Sequence, residues 1–167
     1  GTRFENEYYD IVNNYDVKIT ENLTEEEINS DFKIELEKGF IFEQFAFFKD
    51  SIDEKIKYIK FAKAFFSNTK NARSYLLNIY IEYFNSIKYL DSLIQDYSIV
   101  KYNDFRNYII KIKDKVQTQT LENFPESKNL LFFIDILHIF NSKDENDLEI
   151  VFNLVQKSIQ ENDILLK

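Results

Sequence analysis

The longest periodic stretch of the chain, residues 72–97, reads ARSYLLNIYIEYFNSIKYLDSLIQDY. Apolar or small residues return every three or four positions along it, which is the period of one helix face. That stripe comprises Ala72, Leu76, Ile79, Tyr83, Ser86, Leu90, Leu93 and Tyr97. A second, adjacent stripe comprises Leu77, Tyr80, Phe84, Ile87 and Ile94. Two adjoining stripes predict a central helix that touches neighbours on both flanks, as in a helical bundle.

Helix-start signals divide the chain on both sides of this stretch. Three pairs match the capping box, in which a hydroxyl accepts a hydrogen bond from an unpaired helix N–H and a glutamate reaches back. They are Thr24 with Glu27, Ser51 with Glu54, and Ser142 with Glu145. Further cap candidates are Asn71 or Thr69, Asn103 and Ser127. Each pair precedes an apolar pattern of helical period, so the sequence predicts five to six helices.

We therefore expect an all-α fold with a single helical bundle domain at residues 23–167, preceded by an N-terminal arm at residues 1–22. The first 40 residues allow two structures. Phe32, Ile34 and Leu36 alternate with charged residues, as in a half-buried strand. Ile28, Phe32, Leu36 and Phe40 also fall four apart, as in a helix. We favour the helix, with a small irregular or β-like segment as the alternative; Gly39 would then be a C-cap or an interior glycine.

Residues 130–140 are apolar except at Asp135 and His138, so we expect the most buried helix there. The two polar residues lie three apart and share a helix face. They could form a buried pair that satisfies its own hydrogen bonds, or an oriented general base. We favour the packing role, because the sequence supplies neither a nucleophile nor a recognisable pocket beside them.

Composition excludes many kinds of chemistry. The chain of 167 residues has no Cys, one His and two Gly, which excludes thiolate nucleophiles, multi-histidine zinc sites and glycine-rich phosphate loops. Its 21 basic and 29 acidic residues give a net charge of −8, which disfavours nucleic acid as a partner. We expect no catalytic residue, metal or cofactor, with a carboxylate- and histidine-dependent enzyme as a remote alternative. Without an apolar run long enough to cross a bilayer, membrane attachment would need an anchor outside this stretch of chain.

Aromatic residues are abundant, with 17 Phe and 11 Tyr. The run at residues 40–48 places large apolar side chains on every side of a helix, so some must be buried by a neighbour or remain exposed as a binding patch. We assign a partner-binding role to Phe42, Phe45 and Phe48. Tyr8 and Tyr9 would extend that surface, since tyrosine combines apolar area with a polar tip.

The stretches NARSY at residues 71–75 and YIEYF at residues 80–84 belong to a chain without Cys, Trp or Met. In this respect the chain resembles the helical outer-surface lipoproteins of Borrelia-type spirochaetes, which are bundles rich in Ile, Lys, Asn and Phe. The resemblance implies a non-catalytic protein outside the cytoplasm, lipid-anchored at the cell surface, that binds a host or bacterial protein. The alternative is a cytoplasmic helical adaptor or regulatory protein of a low-GC organism.

Overall fold

A computed structural model describes residues 23–113, 115–116, 124, 127, 130–139 and 149–154, without the side chain of Phe132. The helices are α1 (Glu25–Asp31), α2 (Glu35–Phe47), α3 (Ile52–Asn68), α4 (Arg73–Gln95), α5 (Ile99–Lys113) and α6 (Leu131–Ile139). Residues 149–154 are also helical. The part of the chain described here is helical without any strand, which confirms the predicted all-α bundle class.

Two of the predicted capping boxes start helices as expected. The Thr24 hydroxyl accepts a hydrogen bond from the Glu27 N–H at 3.2 Å and caps α1. Ser51 accepts from the Glu54 N–H at 3.0 Å and caps α3. The third pair, at residues 142 and 145, lies outside the described residues. At these two positions the capping residue and the N–H group that it binds are only three residues apart, so the start of the helix is visible in the sequence.

The other cap predictions have mixed outcomes. The Asn71 Oδ1 atom accepts from the Arg73 N–H at 2.9 Å and so caps α4. Thr69 is instead the C-cap of α3, where its hydroxyl donates to the Phe65 carbonyl. The prediction for Asn103 is wrong, because α5 already begins at Ile99 and the Ser98 hydroxyl accepts from the Lys101 N–H at 3.1 Å.

The helix predicted across residues 28–40 is interrupted. Phe32 (φ −107°, ψ 118°) and Ile34 (φ −81°, ψ 125°) have extended backbones, so α1 ends and α2 begins between them. Ile28, Phe32 and Phe40 are nevertheless buried, whereas Ile34 is 65% exposed. The four-residue spacing therefore marks the buried side of two helices rather than one continuous face.

The helix α6 is not the most buried of the described helices, because α2 buries a larger share of its residues. The buried residues of α2 are Gly39, Phe40, Ile41, Phe42, Glu43, Phe45 and Ala46. In α6, Phe133, Ile136 and Leu137 are buried, but Leu131 is 59% exposed. The expectation for residues 130–140 was wrong because apolar composition alone does not show how many sides of a helix have neighbours.

The stretch that decides the fold becomes α4. Both predicted stripes are buried from Leu76 to Leu93. Both stripes become exposed at their C-terminal ends, where Ile94 is 41% and Tyr97 is 45% exposed. The C-terminal end of this helix therefore shows apolar surface that the periodic pattern predicts to be buried.

Two compact units divide the chain, one ending at Ile81 and the other beginning at Glu82. In the first unit, α2 packs against α1 and α3. Phe42 is the centre of its aromatic core, with ring centroids 5.7 Å from Phe61, 5.8 Å from Phe65 and 6.3 Å from Tyr58. The predicted arm at residues 1–22 lies outside the described residues, and the predicted boundary at residue 23 stays a prediction.

In the second unit, α5 packs against α6. The Tyr83 ring lies 6.0 Å from the Phe133 ring, so the start of this unit also contacts α6. The buried residues of α5 are Tyr102, Phe105, Ile109 and Ile112. They recur at intervals of three and four, so α5 buries one side and leaves the other exposed.

Gly39 lies inside α2, where the Phe66 ring occupies the space of a side chain. A Cβ atom on Gly39 would lie 3.0 Å from Cε1 of Phe66 and 3.2 Å from its Cζ. Its φ is not positive, so the requirement for glycine is spatial rather than conformational. The Phe66 ring also packs 5.0 Å from the Phe40 ring, which leaves it little room to move.

We expect Gly39→Ala to destabilise the protein, although the same change in an open helix stabilises it by about 1 kcal/mol. Crowding against Phe66 should instead cost about 1–3 kcal/mol. Urea unfolding followed by circular dichroism measures this. In a Phe66→Leu background the added methyl group should cost less, because the smaller side chain makes room. A stabilising Gly39→Ala in the unaltered chain contradicts the steric assignment.

Candidate functional site

The predicted partner-binding residues lie mostly in the core. Phe42 is 1% and Phe45 2% exposed, so both rings serve the aromatic cluster of the first unit and present no surface patch. Phe48 is half-buried just after α2. Tyr8 and Tyr9 lie outside the described residues. The structure therefore corrects the position predicted for these two rings. The helix α3 covers both, so the other possibility, burial by a neighbouring helix, is the one observed. Binding itself stays a prediction.

Lysines cover this aromatic cluster from outside. The Lys49 Nζ atom lies 4.0 Å from the centre of the Phe45 ring, and that of Lys57 lies 5.1 Å from the centre of the Tyr58 ring. Lys63 donates a hydrogen bond to Asn78 at 3.0 Å. The first two contacts are typical of cations that lie over aromatic faces while their stems shield apolar surface. Lys57 and Lys63 of α3 thus have structural partners.

Asp135 and His138 are both exposed on α6. They therefore do not form the buried polar pair expected from the sequence, because the helix turns this side away from its apolar contacts. Among the residues described, no group of three or more His, Cys, Asp or Glu side chains could hold a metal ion. No helix in the same ranges is long and apolar enough to cross a membrane.

A buried ion pair joins α2 to the start of α4. Glu43 is 1% and Arg73 2% exposed. The Arg73 Nε atom donates to Glu43 Oε1 at 3.0 Å, and its Nη2 atom donates to both carboxylate oxygens at 2.8 Å. A single buried charge is costly, so a carboxylate and a guanidinium that are both removed from water need these short, charge-assisted hydrogen bonds to each other. The sequence pattern does not reveal this pair, because its members are 30 residues apart in the chain.

Asn71 lies directly beside the ion pair and is 2% exposed. Its side-chain oxygen caps α4 through the Arg73 N–H, which fixes the position from which the guanidinium reaches Glu43. Its Nδ2 atom is buried without a hydrogen-bond partner. Glu43, Asn71 and Arg73 therefore form a polar centre inside the otherwise apolar core of the first unit.

An open cleft of about 460 Å³ lies on the second unit, between α4 and α5. We call it the tyrosine cleft, and its lining residues are Asn85, Lys88, Tyr89, Ser92 and Tyr108. Four of them recur at positions 85, 88, 89 and 92, so they form one stripe of α4. The fifth, from α5, packs its ring 5.0 Å from the Tyr89 ring at an angle of 36°. Asn85, Lys88, Tyr89 and Ser92 lie outside the two apolar stripes predicted for α4, and the sequence pattern does not show that Tyr108 closes this side.

Tyr108 is fixed in this cleft by its hydroxyl group, which donates a hydrogen bond to the Glu82 carboxylate. Burial raises the pKa of the Tyr108 hydroxyl above its usual range, and the neighbouring Glu82 carboxylate raises it further. Burial also raises the pKa of Tyr83 to about 12. Both tyrosines therefore remain neutral at physiological pH.

A second exposed feature of this unit lies where α4 passes into α5. We call it the apolar corner and define it as Ile94, Tyr97, Ile99 and Val100, which are 41%, 45%, 59% and 66% exposed. Local contacts hold the backbone at this corner in place. The Lys101 Nζ atom donates to the Asp96 carbonyl at 3.0 Å, and the Tyr97 ring packs 5.7 Å from the Phe152 ring.

Comparison with known proteins gives no family for the chain. No protein-family model matches it, and neither a curated protein nor a solved structure matches it.

We expect Glu43→Gln to cost about 3–5 kcal/mol of stability, because it removes the carboxylate charge that pairs with the buried Arg73 guanidinium. Urea unfolding measures the loss. The matched control is Asp96→Asn, which removes an exposed partner of Lys101 and should cost less than about 1 kcal/mol. The double variant Glu43→Leu with Arg73→Met should recover much of the loss, because it removes both charges. A Glu43→Gln variant as stable as the control contradicts the assignment.

We expect the protein to lose stability as the pH rises from about 10 to about 12. Tyr83 keeps its proton in the folded state up to a pKa of about 12, whereas an unfolded tyrosine loses it near its ordinary value of 10.0. The folded state then binds more protons, so unfolding becomes easier by up to about 1.4 kcal/mol per pH unit for this one group. Urea unfolding across this range checks the slope. Tyr83→Phe should show a shallower slope, and an equal slope would refute the contribution of this hydroxyl.

Proposed function

We propose that the chain is a non-catalytic helical domain that binds a protein partner through the apolar corner. The observation that carries the proposal is the uneven distribution of exposed apolar side chains. In the described ranges, ten large apolar side chains are exposed, and all but Ile34 and Phe47 belong to the second unit. Four of those eight form the apolar corner, within seven consecutive residues. Clustered exposed apolar residues are typical of binding surfaces, whereas scattered ones need no explanation.

The corner is also held in place before any partner arrives. Ser98 caps α5 through the Lys101 N–H, and the Asp96 N–H donates to the Ser92 carbonyl at 3.1 Å. Ile99 and Val100 therefore project from the first turn of a capped helix. A surface that is already ordered loses less conformational entropy on binding, so more of the apolar contact contributes to affinity.

Aromatic and β-branched side chains suit such a contact. Tyr97 combines an exposed ring with a hydroxyl group, and tyrosine is enriched at the centres of protein interfaces. The Ile99 and Val100 side chains lose little rotamer freedom on burial, since branching at Cβ already restricts them. We propose the second unit as the binding unit, while the aromatic core of the first unit, centred on Phe42, supplies stability.

We further propose that the protein acts outside the cytoplasm. The support for this location is the resemblance in composition to spirochaete outer-surface lipoproteins, and it comes from no described side chain. A signal peptide in the full reading frame would support the location, and a cytosolic start would favour an intracellular helical adaptor.

We expect the double variant Ile99→Ser with Val100→Ser to lose its partner while it remains folded. Affinity capture from cell extracts, identification by mass spectrometry and titration with the purified partner measure the loss, which should be at least tenfold in affinity, or about 1.4 kcal/mol. Serine is tolerated in a first helical turn, so circular dichroism should show a retained fold.

The matched control is Ile110→Ser, which changes an isoleucine that is 38% exposed further along the same helix. It should bind the purified partner as tightly as the unaltered chain. If the corner variant and this control bind equally well, the corner is not the binding surface. Failure of the unaltered chain to bind any purified candidate counts against the proposed function as a whole.

A further inference from the structure

We infer that the tyrosine cleft is a binding site for a neutral saccharide. The inference does not depend on the proposed protein partner, because none of the cleft's lining residues belongs to the apolar corner. With a volume of about 460 Å³, the cleft falls within the range of small-molecule sites in proteins. Its shape, rigidity and polar groups together restrict the class of ligand.

The aromatic wall of the cleft is rigid. Tyr89 is 39% exposed and packs beside Tyr108, whose hydroxyl is engaged by Glu82. The Tyr108 hydroxyl is hydrogen-bonded, and the Tyr89 ring packs 5.0 Å from the Tyr108 ring, so the two rings keep this arrangement without a ligand. A preformed wall offers apolar contact at little entropic cost. The C–H faces of a pyranose ring are apolar and flat enough to pack against such a ring.

The polar groups of the cleft both donate and accept hydrogen bonds. Asn85 carries an amide, Ser92 a hydroxyl and Lys88 an ammonium group, at positions i, i+7 and i+3 of α4. An amide and a hydroxyl each donate and accept, whereas an ammonium group only donates. The Asn85 amide also hydrogen-bonds Tyr108, so it has part of its capacity left for a ligand. Sugar hydroxyl groups both donate and accept, so they match each of these group types.

Other classes of ligand fit less well. An anion would find one ammonium group, but it would also meet the Glu82 carboxylate behind Tyr108 and a chain of net charge −8. A purely apolar ligand would cover the Ser92 hydroxyl without offering it a hydrogen bond, which costs free energy. A neutral polyhydroxylated ligand with an apolar face avoids both penalties.

The test is a titration of the whole chain with methyl glycosides of glucose, galactose, mannose and N-acetylglucosamine, followed by saturation-transfer and amide NMR. At least one of them should bind at millimolar concentration and shift the amide signals of α4 near Tyr89. Intrinsic fluorescence gives a second readout, because a chain without Trp emits from its tyrosines. The glucuronate salt is the anionic comparison and should bind more weakly than its neutral counterpart.

Variants then locate the site. Tyr89→Ala should weaken binding about tenfold, and Tyr89→Phe should retain it, since the ring face provides the contact. Ser92→Ala should weaken binding through the lost hydroxyl. The matched control is Ile110→Ala, which shortens a side chain of similar exposure outside both the cleft and the apolar corner and should bind like the unaltered chain.

Several outcomes overturn the inference. These are the absence of any glycoside binding at millimolar concentration, equal binding by Tyr89→Ala and the unaltered chain, and tighter binding of glucuronate than of every neutral sugar. A protein partner whose binding is abolished by Tyr89→Ala while no glycoside binds would assign the cleft to a protein interface instead. None of these results changes the test of the apolar corner, so the two proposals fail separately.

Discussion

The first unit depends on one constraint, which is that Glu43 and Arg73 can only be buried together. A single carboxylate or guanidinium inside this aromatic core would be too costly to desolvate, whereas the pair forms three charge-assisted hydrogen bonds. Because the contact requires α2 to face the first turn of α4, it fixes how these helices meet, and apolar contacts alone tolerate more than one packing. Asn71 supports the same arrangement, since its oxygen caps the helix from which Arg73 extends. The polar centre thus specifies the structure, and the rings around it supply most of the burial.

That constraint also explains why α2 has such an unusual sequence. Once one side of α2 faces Arg73 and the others face α1 and α3, little of the helix remains for solvent, and its apolar residues lose the helical period of an ordinary surface helix. Gly39 is needed because the Phe66 ring occupies the place of a side chain on α2. Phe42 and Phe45, which the sequence suggests for a binding patch, are the rings that fill this centre.

How much of the fold can be predicted follows from the range of each interaction. Thr24 and Ser51 act on N–H groups three residues away, so their helix starts are visible in sequence. The stripes of α4 are visible because burial repeats along one helix. The break at residues 32–34 is not, since Ile28, Phe32 and Phe40 keep a four-residue spacing across it while two separate helices bury them. The Glu43–Arg73 pair and the contact of Tyr108 with Tyr89 join residues far apart in the chain, and composition and period carry no information about such partners. The candidate sites could therefore be predicted only in part: the apolar stripes of α4 indicate which of its sides is left out of the core, but they do not show that this side closes into a cleft.

Both units bury aromatic rings, and among the described residues they differ in the rings that stay exposed: the first unit exposes Phe47, whereas the second exposes Tyr89 and Tyr97. In the first unit, the aromatic rings pack against one another and lysines cover the cluster, so the buried aromatic area stabilises the fold. In the second, Tyr89 and Tyr97 keep 39% and 45% of their surface in solvent although neighbouring rings hold both in place. Fixing a ring while leaving it exposed adds little to stability, because the exposed area has not been removed from water. It does prepare the ring for a ligand, since the entropy of ordering has already been lost on folding. A role in binding therefore explains these fixed, exposed rings better than a role in folding. We expect a ligand or partner to bind to the second unit.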